Sequence, residues 1–315
     1  MRAPLPSSPP DERQDNPPLA VLSLCGGVAL AVSLDAAVKW LSGEYPVHQL
    51  VVLRCLVAAP VLFVLAGMRG REIVTLHPRW PVVVLRALFM ASAYLAFVMA
   101  IAAMPMADAV AIYFTLPLFV AVLAGPLLGE KVGLDRWFAI LAGFLGVLIM
   151  IRPGTGVFEP AALLALYAGF GYATGQMLTR WLGYGIRASV LAFHQNVVFL
   201  AVGTALSLLF GFGQFAGEAH PSLDFLMRGW TTPPLADLAL ILSLGVVAGL
   251  AMVLYTQAYR LTEANLVAPF EYTAMIWATF YGIVLFGDFP DWVTGAGAVL
   301  VIGAGLYMLR AVQRR

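Results

Sequence analysis

The sequence predicts an all-α integral membrane protein, with ten transmembrane helices arranged as two inverted five-helix repeats. Three observations predict it. The 315 residues are 61% hydrophobic and only 11% charged, with a mean hydropathy of +0.89, against a charged fraction of about 25% in soluble domains. Apolar stretches of spanning length recur along the whole chain. Finally, Ile112-Tyr113-Phe114-Thr115-Leu116 is echoed 158 positions later by Phe270-Glu271-Tyr272-Thr273-Ala274, as Gly129-Glu130 is by Gly287-Asp288.

Residues 1–17 are rich in proline, serine and charge. They lack a basic segment running into a short apolar core with a small-residue cleavage site, so they read as a disordered cytosolic tail rather than a signal peptide. A span needs about 20 apolar residues to cross about 30 Å of hydrocarbon. Ten candidates follow, at 19–41, 47–67, 81–103, 106–128, 135–151, 160–182, 188–212, 235–259, 264–286 and 292–310. The fifth is the shortest. Spans one to five form a first repeat over 18–152, and spans six to ten a second over 159–310. Five spans is an odd number, so the second copy enters the bilayer upside down, as in many transporters whose site lies between the repeats. Cys25 and Cys55 fall inside spans, where they read as packing thiols.

Lysine and arginine set the orientation. With the N-terminus cytosolic, Arg2, Arg13, Arg69, Arg71, Arg79, Lys131, Arg136, Arg180, Arg187, Arg260, Arg310, Arg314 and Arg315 lie inside. Only Lys39, Arg152 and Arg228 lie outside, with Arg54 and Arg86 within spans. Both termini are therefore expected in the cytosol of a bacterial cell, with the chain in its inner membrane. The turn after the fourth span carries Lys131 and Arg136, whereas the turn after the ninth carries Asp288 and Asp291 and no basic residue. Opposite charge bias in equivalent turns fits opposite sides of a membrane.

Two five-span halves, each with an apolar helix ending in Gly-Glu or Gly-Asp before a glycine-rich helix, resemble the EamA-type transporters of the drug/metabolite transporter superfamily. The matching pieces are Thr115-Leu116-Pro117 through Gly129-Glu130 and Gly143-Phe144-Leu145-Gly146. In the second half they are Ala268-Pro269-Phe270-Glu271-Tyr272 through Phe286-Gly287-Asp288 and Gly303-Ala304-Gly305. The resemblance runs from about residue 19 to residue 310. It implies a carrier of amino acids, vitamins, nucleotide-like cofactors or other metabolites, and no motif selects among them.

Ionisable groups at membrane depth are expensive and need a reason. Asp108 and Asp237 stand in first helical turns, where a carboxylate caps free N–H groups. Arg86 is close enough to a span end to reach the headgroups. Asp35 and Lys39, at i and i+4, are expected to neutralise each other on one helix face, as a structural pair or a gate. Arg54 and Glu271 escape such explanations. Counted at 1.5 Å per residue from Pro46 and Ala264, they lie about 12 Å and about 10 Å deep, approaching from opposite faces. In a core of about 30 Å their levels differ by about 8 Å. A small zwitterion bridges such a gap, with its carboxylate at Arg54 and its ammonium at Glu271. The alternatives are a plain interhelical ion pair or an arginine satisfied by carbonyls. Glu271 is also a candidate proton carrier, which makes H+ a candidate co-substrate.

Six tryptophans, Trp40, Trp80, Trp137, Trp181, Trp230 and Trp292, fall at span ends or in loops as interfacial anchors do. Trp277 is deep and shares a helix with Glu271. Tyr94, Tyr113, Tyr172, Tyr255 and Tyr272 are further deep aromatics with a polar tip, able to line a pathway or simply to pack. Pro60 and Pro117 remove helical donors from the carbonyls of Leu56 and Tyr113, which marks a kink or a cavity-lining break. Gly125-xxx-Gly129, Gly171-xxx-Gly175 and Gly245-xxx-Gly249 permit close helix contact.

The sequence thus reads as a secondary transporter of a small polar or amphipathic metabolite, with amino acids or related compounds favoured and a vitamin or nucleotide-type cofactor as the alternative. It carries no Walker-type phosphate loop for ATP drive. No cofactor, metal or nucleic-acid partner is expected beside the substrate and the bilayer. The competing class is an intramembrane transferase, whose nearest acid/base pair is His220 with Asp224, in a loop expected as a short surface helix.

Overall fold

The structure, a computed structural model, describes residues 16–65, 79–116, 118–120, 122–123, 134–151, 159–182, 188–217, 220–261 and 268–313. Every regular element among them is helical. Helix α1 (Pro17–Leu41) opens on Asn16, whose side chain accepts from the Leu19 N–H, with proline at its first position; both are favourable helix starts. Helix α2 (Val47–Leu65) runs through Pro60 unbroken, with that residue exposed on its outer side. Helix α3 (Trp80–Ala103) leads through Pro105 into α4 (Met106–Tyr113). There the regular helix gives way to a turn at Phe114 and Thr115, where the Thr115 hydroxyl donates to Ile112 O. Helices α5 (Leu134–Ile151), α6 (Ala161–Leu182) and α7 (Ala188–Phe210) follow, then the short α8 (Pro221–Met227) and the long α9 (Leu235–Leu261). A 3-10 turn at Ala268–Tyr272 enters α10 (Thr273–Tyr281), which widens into a π turn at Gly282–Phe286. Gly287, at φ +69°, ends it, in the left-handed region that glycine tolerates best. Helix α11 (Trp292–Gln313) closes the chain.

Five of these helices are long and apolar enough to cross a membrane: Pro18–Leu41, Val47–Leu65, Trp80–Ala103, Ser189–Phe210 and Leu235–Tyr255. The expected fourth, fifth, ninth and tenth spans are represented by shorter apolar stretches, Met106–Val120, Leu141–Met150, Phe270–Phe286 and Trp292–Ala304. In the ninth, the irregular turns at both ends of α10 are what shorten the regular run. Together they make a multi-pass membrane protein.

Helix α3 packs on α6 and α7, α1 on α9 and α10, α2 on α7 and α9, α4 on α6 and α10, and α5 on α11. Glycines set several of these crossings. Gly171 and Gly175 bring α6 against Ala93 and Met90 of α3, while Gly245 and Gly249 bring α9 against Val57 and Val61 of α2. Gly146 of α5 and Gly297 of α11 meet so closely that a Cβ on either would come within 2.8 Å of the other's carbonyl oxygen. Gly125 and Gly129 lie outside the described residues, as does Pro117.

The six tryptophans expected at interfaces are all exposed, from 43% at Trp230 to 83% at Trp292. The expected short helix between spans seven and eight is α8, but Phe225 is fully buried and Ser222 Oγ donates to Met99 O of α3. It therefore packs on protein. His220 and Asp224 do not pair. His220 Nε2 meets Glu159 Oε1 at 2.9 Å, and Asp224 holds Arg228, which also donates to the carbonyls of Ser42 and Gly43. Buried His48 completes this end: it accepts from Trp230 Nε1 at Nδ1, so its Nε2–H is the donor to Arg228 O. In the turn between α1 and α2, Tyr45 Oη donates to Asp237 at 2.5 Å, which pushes the phenol up to about 12 because ionising it would set two anions side by side.

Candidate functional site

Two charged helix positions meet in the middle of the bundle. Arg54 of α2 is only 6% exposed. Its guanidinium lies 4.2 Å from the centre of the Tyr94 ring and 6.0 Å from that of Phe199, a geometry in which ring quadrupoles attract the cation. Asp35 of α1 is within electrostatic reach of Arg54, of Tyr94, and of Tyr113 and Tyr255. The backbone at Arg54 is itself pinned, because a Cβ on Gly245 of α9 would stand 2.5 Å from Arg54 O.

This corrects one expectation. Asp35 and Lys39 share a helix and the i, i+4 spacing, yet they serve different ends of it. Asp35 is within electrostatic reach of Arg54, while Lys39 Nζ donates to Met104 O at 2.7 Å and pairs with Asp288 at 3.5 Å. An interior cation and a cross-helix carboxylate offer more than an in-helix pair worth about 0.5 kcal/mol.

Beside Asp35 lies an aromatic cluster drawn from five elements. Tyr113 of α4 packs on Phe97 (5.3 Å between ring centres), Phe114 (6.0 Å) and Tyr172 of α6 (5.9 Å). Phe114 in turn meets Tyr272 at 4.9 Å. Tyr255 of α9 is seated in the space left by Gly27 of α1, where a Cβ would come within 3.1 Å of its ring. Glu271 is within electrostatic reach of Tyr113, Tyr172, Tyr255 and Tyr272. All five side chains are partly accessible although they sit amid packed helices.

A second arginine contradicts its expected role. Arg86 is 8% exposed and does not extend to the headgroups. Its Nε donates to Thr179 Oγ1 of α6 and its Nη1 to Gln195 Oε1 of α7 at 3.0 Å. Two interhelical acceptors inside the bundle outcompete the interface. Among the other polar groups of the bundle, Asn196 donates to Cys55 O, Gln176 to Tyr172 Oη, and His194 contacts Val190 O of its own helix.

Around the Lys39 end, α1 and α10 form a seam. Ser33 and Tyr281 bond through their hydroxyls at 2.8 Å, Lys39 lies 4.9 Å over the Phe286 ring, and Trp40 stacks obliquely on it.

Of the residues singled out in the sequence, Arg54 and Tyr94 thus lie together, as do Glu271, Tyr113, Tyr255 and Tyr272, with Asp35 in reach of both groups. Trp277 is 38% exposed and packs edge-on to Phe280, which is also exposed. Pro60 is on an outer face. Arg86 with its two acceptors, and the inward turn of Asp35, were not expected. Depth held a signal for Asp35: it is six residues from the end of α1, or about 9 Å, as deep as Glu271.

Residues 18–152 match the EamA-like transporter family. The chain is 26% identical over 210 residues to the S-adenosylmethionine uptake transporter of Rickettsia prowazekii, covering 67% of this chain and 65% of that relative's length. It is 29% identical over 220 residues to the riboflavin transporter of Rhizobium johnstonii, covering 70% and 67%. With the pseudopaline exporter of Pseudomonas aeruginosa it shares 25% over 295 residues, covering 91% and 97%. A solved crystal structure of a protein 19% identical in sequence superposes with a TM-score of 0.62, over 94% of this chain and 98% of the other, which supports the fold alone.

Proposed function

We propose that the chain, whose residues 18–152 match the EamA-like transporter family, is a secondary transporter of that type. It moves a small amphipathic metabolite across the bacterial inner membrane by alternating access, with ten spans and both termini cytosolic. The observation that carries this reading is the contact of Phe114 with Tyr272. These residues are repeat equivalents, 158 positions apart, so the seam between the halves runs through the aromatic cluster, where a carrier of this build holds its substrate.

The helix pairings support two copies of one unit. Exchanging the halves turns the α1/α9 contact into α6/α3, α1/α10 into α6/α4, and α2/α9 into α7/α3, while α2/α7, α4/α10 and α5/α11 map onto themselves. Each of these contacts is made. In this reading Arg54, Glu271, Tyr94, Tyr113, Tyr255 and Tyr272 line the substrate site together with Asp35. The Lys39–Asp288 pair is the gate on the extracytosolic side. The chemistry of the cluster, charges of both signs among aromatic rings, suits an amino-acid derivative with a planar ring. S-adenosylmethionine, named for one relative, joins an amino acid to an adenosyl group and so unites both substrate classes read from the sequence.

The test is uptake of labelled S-adenosylmethionine and of riboflavin by proteoliposomes holding the full chain. Saturable uptake of at least one, lost in Arg54→Ala and Glu271→Gln, is expected. Uptake indifferent to both changes would remove the central site from the reading. Uptake no greater than in protein-free liposomes would count against transport of either compound.

A further inference from the structure

Resting on the reading of the central cluster as the transport site, we infer that the tyrosines around Glu271 form a subsite for an organic cation, the sulfonium or substituted ammonium group of the substrate. Four elements converge on it. Tyr113 comes from α4, Tyr172 from α6 and Tyr255 from α9, while Tyr272 follows Glu271 in the 3-10 turn. Tyr113 and Tyr172 stand 5.9 Å apart between ring centres, and Tyr272 is held 4.9 Å from Phe114, the neighbour of Tyr113. Gly27 leaves just the space that seats Tyr255.

Aromatic faces around a carboxylate discriminate by sign. Ring quadrupoles attract a cation and repel an anion, most strongly where water is scarce, and cages of this kind recognise quaternary ammonium groups. The Glu271 carboxyl lies within electrostatic reach of all four phenols, and the Asp35 carboxyl within reach of Tyr113 and Tyr255 from the α1 side. An incoming carboxylate would face both. Arg54 is stacked on the Tyr94 ring at 4.2 Å, with Asp35 in electrostatic reach. All four tyrosine side chains are partly accessible.

The probes are S-adenosylmethionine and S-adenosylhomocysteine, which differ by one methyl group and one positive charge. Ligand titrations of the melting temperature of the detergent-purified full chain give the affinity of each. The sulfonium compound is expected to bind about tenfold more tightly, with that preference gone in Glu271→Gln and in Tyr255→Leu. Should Glu271→Gln not fold, Tyr255→Leu decides. Equal affinity for the two probes, a preference that survives in the variants, or no shift with either compound at millimolar concentration would overturn the subsite. Riboflavin uptake that still needs Arg54, with both probes binding alike, would overturn the cation subsite and leave the transporter. Cation preference without uptake of any compound would do the reverse.

Discussion

Positions 113 and 271 are separated by 158 residues and occupy the same place in the two copies of the sequence echo, yet one is tyrosine and the other glutamate. Their successors, Phe114 and Tyr272, touch at 4.9 Å. In both copies the backbone departs from regular α-helix here, as a turn at Phe114 and Thr115 in one and a 3-10 turn at Ala268–Tyr272 in the other. Backbone form is shared and side-chain chemistry is not. The first half contributes a phenol and the second a carboxylate. In the proposed two-repeat reading, the repeated part stays alike for packing, and function falls to the positions where the copies diverge.

The largest effect should come from erasing that divergence. Glu271→Tyr, which makes the second copy like the first, is expected to lower S-adenosylmethionine uptake by about a hundredfold, because the only charge in the equivalence is lost. Tyr113→Phe removes a hydroxyl and keeps the ring, so a decrease of about threefold is expected, within the worth of one hydrogen bond. Similar losses in both variants would mean that the two positions do the same job and that the comparison carries no chemistry.

The seams flanking these positions differ as well. Helix α6 meets α4 through Gly169, where a Cβ would come 2.9 Å from Tyr113 O and 3.1 Å from Thr115 Oγ1. Its counterpart, α1 against α10, is joined by side chains instead. Gly169→Leu should therefore destabilise by about 2–3 kcal/mol, the usual scale of overpacking, visible as a lower melting temperature in detergent. A variant as stable as the parent would show the α4/α6 seam to be loose.

The α1/α10 seam should respond to charge rather than to volume. Lys39→Asp replaces the ion pair with Asp288 by two acids facing each other across the seam and should reduce uptake about tenfold. Adding Asp288→Lys restores opposite signs across the seam and should recover most of it, as expected of two residues that act through one contact. A double variant no better than the single would leave Lys39 its contacts with Met104 O and the Phe286 ring as its role.

Most of the helix order was legible from the sequence, because hydropathy and helix length respond to the same bilayer dimension. Interfacial tryptophans and small-residue crossings at Gly171, Gly175, Gly245 and Gly249 were legible for the same reason, being local patterns with a single use. The partners of charged side chains were not. Spacing on one helix paired Asp35 with Lys39 and sent Arg86 to the headgroups, whereas Lys39 pairs with Asp288 and Arg86 donates to Thr179 and Gln195 on two other helices. In a packed bundle, interhelical distance decides which charges meet, and one chain's spacing contains no record of it. Trp277 shows the converse. Depth along the helix singled it out, but the direction around the helix, which leaves it 38% exposed, depends on which neighbours α10 packs against.

The smallest predicted effect follows from a single proton. Ser33 Oγ lies 2.7 Å from Ala29 O and 2.8 Å from Tyr281 Oη. A carbonyl only accepts, so the serine proton goes to Ala29 and Tyr281 must be the donor in the bond between α1 and α10. Tyr281→Phe then removes a donor and leaves Ser33 still bonded to its own helix, for a cost of about 0.5 kcal/mol. Ser33→Ala instead strands the Tyr281 hydroxyl in a partly buried seam and should cost about 1–2 kcal/mol, the penalty of an unmet polar group. Combining the two changes removes both partners and should cost less than the sum of the single effects. Melting temperatures of the three variants would therefore rank Tyr281→Phe above Ser33→Ala. The opposite ranking would assign the proton the other way, with Tyr281 as acceptor and the seam held from the α1 side.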